Sequence, residues 1–112
     1  MNPGEMLLES IRANRMEGLR AVGGRLYLTD QRLVFRPHAF DAATGGSVWE
    51  ISLRAVALAD IAPRGSDRSY AALRRRLRIT TADGAEVFVV NHVGEVASRI
   101  EKAWQANCQT QT

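Results

Sequence analysis

The sequence is short of the features that usually announce chemistry or compartment. It has one cysteine, Cys108, so no intramolecular disulfide can form. That thiol stands in a polar end, Gln105 to Thr112, and reads as part of a frayed terminus. Only two histidines, His38 and His92, are present, in separate expected loops, so neither a paired acid–base site nor a three-ligand zinc site is indicated. No apolar run approaches the ~20 residues that span a bilayer. Met1 to Ser10 lacks the basic start and apolar stretch of a secretory signal. There is no G-x-S-x-G elbow, no H-E-x-x-H pair and no dinucleotide fingerprint, and the adjacent Gly23 and Gly24 lack the Lys-Ser/Thr pair of a P-loop. These absences predict a cytoplasmic chain that is not an enzyme, with no catalytic residues, no metal and no cofactor.

Lysine is scarce too. Lys102 is the only one, so fourteen of the fifteen basic residues are arginine, and twelve acids leave a formal charge of +3. Arginine presents a planar fork to phosphate oxygens, which would suit an anionic partner. Sixteen alanines accompany the arginines, a bias that a GC-rich genome also produces, and both explanations stay open. With 112 residues, 46% hydrophobic and 24% charged, the composition is that of one ordinary globular domain. It is expected over 1–107, with a disordered tail over 108–112.

Gly24 to Pro37, GRLYLTDQRLVFRP, carries the clearest pattern. Leu26 and Leu28, then Leu33 and Phe35, occupy alternate positions on either side of the polar turn Thr29-Asp30-Gln31-Arg32, which predicts an antiparallel hairpin. Asp30 is expected to fold its carboxylate onto nearby backbone N–H groups, and Pro37 to stop the second strand. The adjacent Gly23 and Gly24 mark a bulge or a close backbone approach, and a bulge or bend on the second strand is the expected use. Residues 38–47 read as a loop, Trp49 to Leu53 as a half-buried strand and Ala57 to Ala62 as another. Residues 64–73 read as a second loop, with a helical turn available over Tyr70 to Arg75. A second hairpin follows, from Leu77 to Thr81 and Val87 to Val90, with Asp83-Gly84 as a type I′ turn. From Val93 the period becomes helical: Val96, Ile100 and Trp104 form a stripe, Glu95 suits the first turn, and Asn91 is the expected cap.

The hairpin resembles the G-x-L-Y-L-T-x-x-R-L-x-F signature of GRAM domains, a branch of the pleckstrin-homology (PH) superfold. The run from Trp49-Glu50-Ile51 to Asp60-Ile61 is similar to the block that follows it in that family. The chain is thus identified as a member of the GRAM family, expected to be a small stand-alone bacterial one. Met6 to Arg15 fits either a helical stripe or alternation, and the resemblance selects a strand. It implies an α+β, mainly β fold: a PH-like, seven-stranded, strongly bent antiparallel β-barrel or sandwich capped by one C-terminal amphipathic α-helix. Leu28, Leu33, Phe35, Trp49, Ile51, Leu77, Ile79 and Ile100 are expected to share its core.

The resemblance also implies a binding module that recognises an anionic lipid head group or other phosphate-bearing ligand, peripheral to a membrane. The candidate anion-binding residues are Arg12, Arg15, Arg20, Arg74, Arg75, Arg76 and Arg78. The alternative is a protein-interaction module, an adaptor or a self-associating homo-oligomer. Nucleic acid is disfavoured, since arginines without interleaved aromatics lack a stacking platform for bases.

Overall fold

The computed structural model describes residues 3–17, 20–38, 48–62 and 76–109. Seven strands, β1 (Leu7–Glu17), β2 (Arg20–Thr29), β3 (Arg32–Pro37), β4 (Trp49–Ser52), β5 (Val56–Ala62), β6 (Arg76–Thr81) and β7 (Gly84–Val90), precede one helix, α1 (Val93–Gln109). They form a single antiparallel sheet in the order β4-β3-β2-β1-β7-β6-β5. The outer strands β4 and β5 are joined by a 3₁₀ turn, Leu53–Ala55, but do not pair with each other, so the sheet is not closed into a barrel. The expected loops over 38–47 and 64–73 lie almost wholly outside the described residues, as does the helical turn over Tyr70 to Arg75.

The stretch that suited helix and strand equally is β1. Its pairing partners decide the matter: β1 lies against β2 along nearly its whole length and against β7 through Ala13–Arg15. A helix there would leave the edges of β2 and β7 that face it without ladder partners.

The β2–β3 hairpin has the expected register, Leu26 opposite Phe35 and Leu28 opposite Leu33. Its turn is organised by Thr29 and not by Asp30. Thr29 Oγ1 accepts from the N–H groups of Gln31 and Arg32 at 3.1 and 3.0 Å and donates to Glu5 Oε2 at 2.6 Å. The Asp30 carboxylate reaches out of the turn, accepting from Met6 N–H at 3.0 Å, while Asp30 N–H donates to Met6 O at the same distance. Arg32 completes this corner. Its guanidinium holds the buried Glu5 carboxylate at 2.9 and 3.1 Å and reaches Glu50 on β4 at 2.7 Å. Both acids raise the Arg32 pKa, Glu5 most. One side chain therefore fixes the N-terminal segment, the hairpin turn and an outer strand together.

The bulge or bend expected at Gly23-Gly24 is replaced by unbroken pairing, Asn14 opposite Gly23 and Ala13 opposite Gly24. Gly24 is needed for close approach: a Cβ there would lie 2.2 Å from Arg36 O and 2.8 Å from the Phe35 ring. The irregularity of the β1–β2 ladder falls instead between Leu7 and Glu9. The β6–β7 turn is also shifted, because Thr81 already pairs with Gly84 and the central residues are Ala82 and Asp83. Neither has positive φ, which excludes a type I′ turn; Gly84 takes φ +129° immediately after.

Leu28, Leu33, Phe35, Leu77, Ile79 and Ile100 are buried in one cluster, and Trp49 and Ile51 pack against it half-buried. Phe88 sits at its centre, with ring centroids 5.7 Å from Phe35 and 5.4 Å from Trp49. Helix α1 begins after His92, whose carbonyl accepts from Val96 N–H at 3.1 Å, one residue beyond the cap expected at Asn91. It buries Val96 and Ile100 against the sheet, with Trp104 half-buried, because an amphipathic stripe and an open sheet face both lose apolar exposure on contact. Arg99 pairs with Glu9, and Asn107 Nδ2 donates to Asp30 O at 2.9 Å, tying the far end of the helix to the hairpin turn.

On the outer half of the sheet, Arg78 of β6 grips Asp60 of β5 through two hydrogen bonds of 2.9 and 2.6 Å. The guanidinium holds the Asp60 carboxyl below its ordinary range.

Two outcomes are expected. Phe35→Ala removes a fully buried ring that touches Phe88, and chemical denaturation should show a loss of about 3–5 kcal/mol. A lowered Asp60 pKa stabilises the fold above the unfolded carboxyl pKa, and that contribution disappears as pH falls through the folded value. Asp60→Asn should therefore lower Tm by no more than about 5 °C at neutral pH, the pair being partly exposed. The difference from wild type should shrink below about pH 4; a constant difference down to pH 2 would refute the assignment.

Candidate functional site

Four of the seven candidate arginines, Arg12, Arg15, Arg76 and Arg78, have described side chains, and these four do not share one site. Arg15 points to the inner side of the sheet, where Nε and Nη2 both donate to Glu86 at 3.1 Å and the guanidinium lies 6.0 Å from the Trp49 ring centroid. Only 13% of the Arg15 side chain is exposed, so it closes the end of the core. Arg78 is bound to Asp60, which raises its own pKa. Arg76 is half-buried on β6 opposite Ala62. Arg74 and Arg75 lie outside the described residues, and of Arg20 only the backbone position opposite Glu17 is described. Arg12 is exposed on β1.

Arg12 has neighbours that the sequence reading missed. The β1–β2 register sets Arg12 opposite Arg25, and the β2–β3 register sets Arg25 opposite Arg36. All three alternate with buried residues, Ala13, Leu26 and Phe35, and so stand on the outer face of the sheet. Strands lie about 4.8 Å apart, so the three side chains leave the backbone in a row roughly 10 Å long. Arg25 Nη1 donates to Ser10 Oγ at 3.0 Å. Among the described residues, the ion pairs engage Arg15, Arg32, Arg78 and Arg99, and no carboxylate reaches Arg12, Arg25 or Arg36.

Like charges directly opposite each other in a sheet repel. Three of them without a counter-charge generate a positive field that an anion relieves, and each guanidinium offers paired donors to phosphate or carboxylate oxygens. Beside the row lies a depression of ≈ 440 Å³ bordered by Arg12, Asn14, Gly23, His38, Val89 and Asn91. Its rim is polar, and His38 is fixed there by its N–H, which donates to Gly23 O at 2.9 Å.

The signal that could have found Arg25 and Arg36 was present in the hairpin. A short turn centred on Asp30 and Gln31 fixes which residues of its two strands oppose each other, and both arginines occupy outward positions. The place of Arg12 depends on the β1–β2 register, in which Glu17 pairs with Arg20 across a connection equally short; the expected first strand stopped at Arg15, short of that pairing. Among the described residues, no cluster of three or more His, Cys, Asp or Glu is arranged to hold a metal ion. No helix among them is long and apolar enough to cross a membrane.

The fold has counterparts among solved structures. The Vps36 N-terminal PH domain matches with a TM-score of 0.69 at 19% identity, over 99% of this chain and 86% of that one. The C-terminal domain of an unknown protein from Leishmania infantum matches with a TM-score of 0.66 at 19% identity, over 92% of this chain and 87% of the other. The hSac2 domain from human phosphoinositide phosphatase Sac2 gives a TM-score of 0.62 at 12% identity, over 98% of this chain and 74% of that one. At these identities the likeness concerns the fold. No curated protein matches significantly in sequence. The GRAM domain family model, in contrast, matches residues 1–105, nearly the whole chain. The chain belongs to the GRAM domain family, whose PH-like members are binding modules for lipids or proteins.

Proposed function

We propose that this domain is a non-catalytic module that docks peripherally on an anionic membrane surface by recognising phosphate-bearing lipid head groups. One observation carries the reading: Arg12, Arg25 and Arg36 stand in register across three neighbouring strands, and no described carboxylate neutralises them. A protein under no demand for an anionic partner gains stability by placing an acid at one of these positions, since opposite charges across a ladder attract. The row also lies on the face away from the core, where a flat anionic surface can reach all three side chains at once. Arg20, Arg74 and Arg75 are retained as further contributors to the field. Arg15 and Arg78 are assigned to holding the fold.

Each basic residue near an acidic bilayer adds about 1 kcal/mol, so three give weak, reversible, salt-sensitive docking. The protein-interaction alternative is supported by a different feature, the unpaired outer edge of β5, where Leu58 is 52% exposed.

Sedimentation with vesicles separates the two. The wild-type domain should bind phosphatidylserine-containing vesicles in low salt and not pure phosphatidylcholine. Arg25→Glu with Arg36→Glu should weaken binding by at least about tenfold, because each reversal removes one attraction and adds a repulsion. The same variant should keep or raise its Tm, because position 25 then faces Arg12 with opposite charge and position 36 with like charge, in place of two like-charge pairs. Failure of the wild type to bind anionic vesicles at low salt would replace this reading with the protein-interaction one.

A further inference from the structure

The largest run of exposed apolar side chains lies at the start of β1: Met6 is 63% exposed, Leu7 45% and Leu8 44%. Scattered surface leucines are ordinary, but three consecutive large apolar residues at the tip of a strand are costly to keep in water. Local geometry explains why none of them turns inward. Between Leu7 and Glu9 the β1–β2 register shifts, so two residues, Leu7 and Leu8, meet the single partner Thr29 before pairing resumes at Glu9 and Leu28. Such a bulge carries an unpaired extra residue and re-aims neighbouring side chains. Without it, one of each adjacent pair would face the core.

The tip is also held rigidly. Met6 N–H and O are both bonded to Asp30, and the preceding Glu5 carboxylate is buried on Thr29 and Arg32. The nearest acids are thereby engaged: Asp30 with the Met6 backbone, Glu5 within the corner, and Glu9 with Arg99 on the helix. Presentation of the three side chains costs little further ordering on binding.

Leu8 and Arg12 are four residues apart on one strand, about 13 Å at ~3.3 Å per residue, and alternation sets Leu8, Ser10 and Arg12 towards one side of the sheet. We infer that Met6, Leu7 and Leu8 form a membrane-inserting tip, which enters the boundary between head groups and acyl chains while the row of Arg12, Arg25 and Arg36 engages the head groups above it. The occupant is an anionic lipid surface, because the apolar tip shares its sheet face with an unneutralised arginine row, and charge and apolar area together suit such a surface. The inference rests on the membrane reading above and adds to it: docking is anchored by insertion as well as charge. The interfacial layer is roughly 5–8 Å deep on each side of a bilayer. The sheet therefore meets it at a tilt, tip first, with long arginine side chains spanning the remaining depth.

The test uses the full chain in a Cys108→Ser background with Leu8→Cys carrying a nitrobenzoxadiazole label. On phosphatidylserine-containing vesicles the label's emission should shift to the blue and be quenched by lipids brominated along the acyl chain. In unlabelled protein, Leu7→Ser with Leu8→Ser should weaken vesicle binding by about tenfold without lowering Tm, these side chains being exposed. A label that stays in water while the Arg25→Glu, Arg36→Glu variant loses binding would overturn insertion and leave the charge-based function standing. No binding by the wild type at low salt would overturn both. A dimer in light scattering that the two serine substitutions dissolve would overturn insertion in favour of a second copy of the chain covering the tip.

Discussion

The structure depends on packing across a sheet that hydrogen bonds do not close. Strands β4 and β5 end the sheet without pairing with each other, so the backbone ladder joins its two halves only through the short β1–β7 pairing at Ala13–Arg15. Phe88 of β7 supplies much of the connection. Its ring lies within 6 Å of Phe35 on β3 and Trp49 on β4, so strands distant in the ladder are joined through the core. Arg15 and Glu86 extend that seal with a paired contact against Trp49, and helix α1 covers the apolar surface that remains, near β5, β6 and the 3₁₀ turn. An open sheet held this way has a second, outer face turned away from this core. That is the face on which the arginine row stands.

The arginines divide by the partners they find. Arg32 bridges Glu5, which is fully buried, and Glu50, so it joins segments that the chain visits at its start, in the hairpin and on β4. Arg15, Arg78 and Arg99 each secure one cross-element contact. A charge surrounded by protein must be paired, because losing hydration is compensated only by an opposite charge and hydrogen bonds. Arg12, Arg25 and Arg36 face water, where no such requirement applies, and their mutual repulsion is unrelieved by any described acid. The same residue type thus serves the fold where it is enclosed and remains available to a ligand where it is not.

Nearness in sequence is a poor guide to nearness of charge here. Arg12 and Arg15 are near each other in the chain, yet strand alternation sets them on opposite faces of β1. Arg12, Arg25 and Arg36 are distant in the chain and adjacent in the sheet. The apolar tip adds a second element to the same face through the bulge at Leu7 and Leu8. The function proposed for this domain accordingly rests on register, on which residues the ladder sets side by side.

The sequence by itself determined the order of the elements after β1, the inward residues of the two hairpins and the helical stripe, since each follows from local periodicity: Leu26, Leu28, Leu33 and Phe35 repeat every second residue, and Val96, Ile100 and Trp104 every fourth. The family signature in the β2–β3 hairpin was legible for the same reason, being contiguous. Tertiary structure alone decided that Thr29 and not Asp30 caps the hairpin turn, because Asp30 has a better use in holding Met6. It decided that Gly24 serves close approach to Phe35, that Arg15 and Arg78 belong to ion pairs, and that Arg12 meets Arg25. These outcomes depend on strand register and on carboxylates that arrive from remote elements, Glu86 standing 71 positions from Arg15 in the chain. A local pattern sets which way a side chain faces; only the folded ladder sets what it faces.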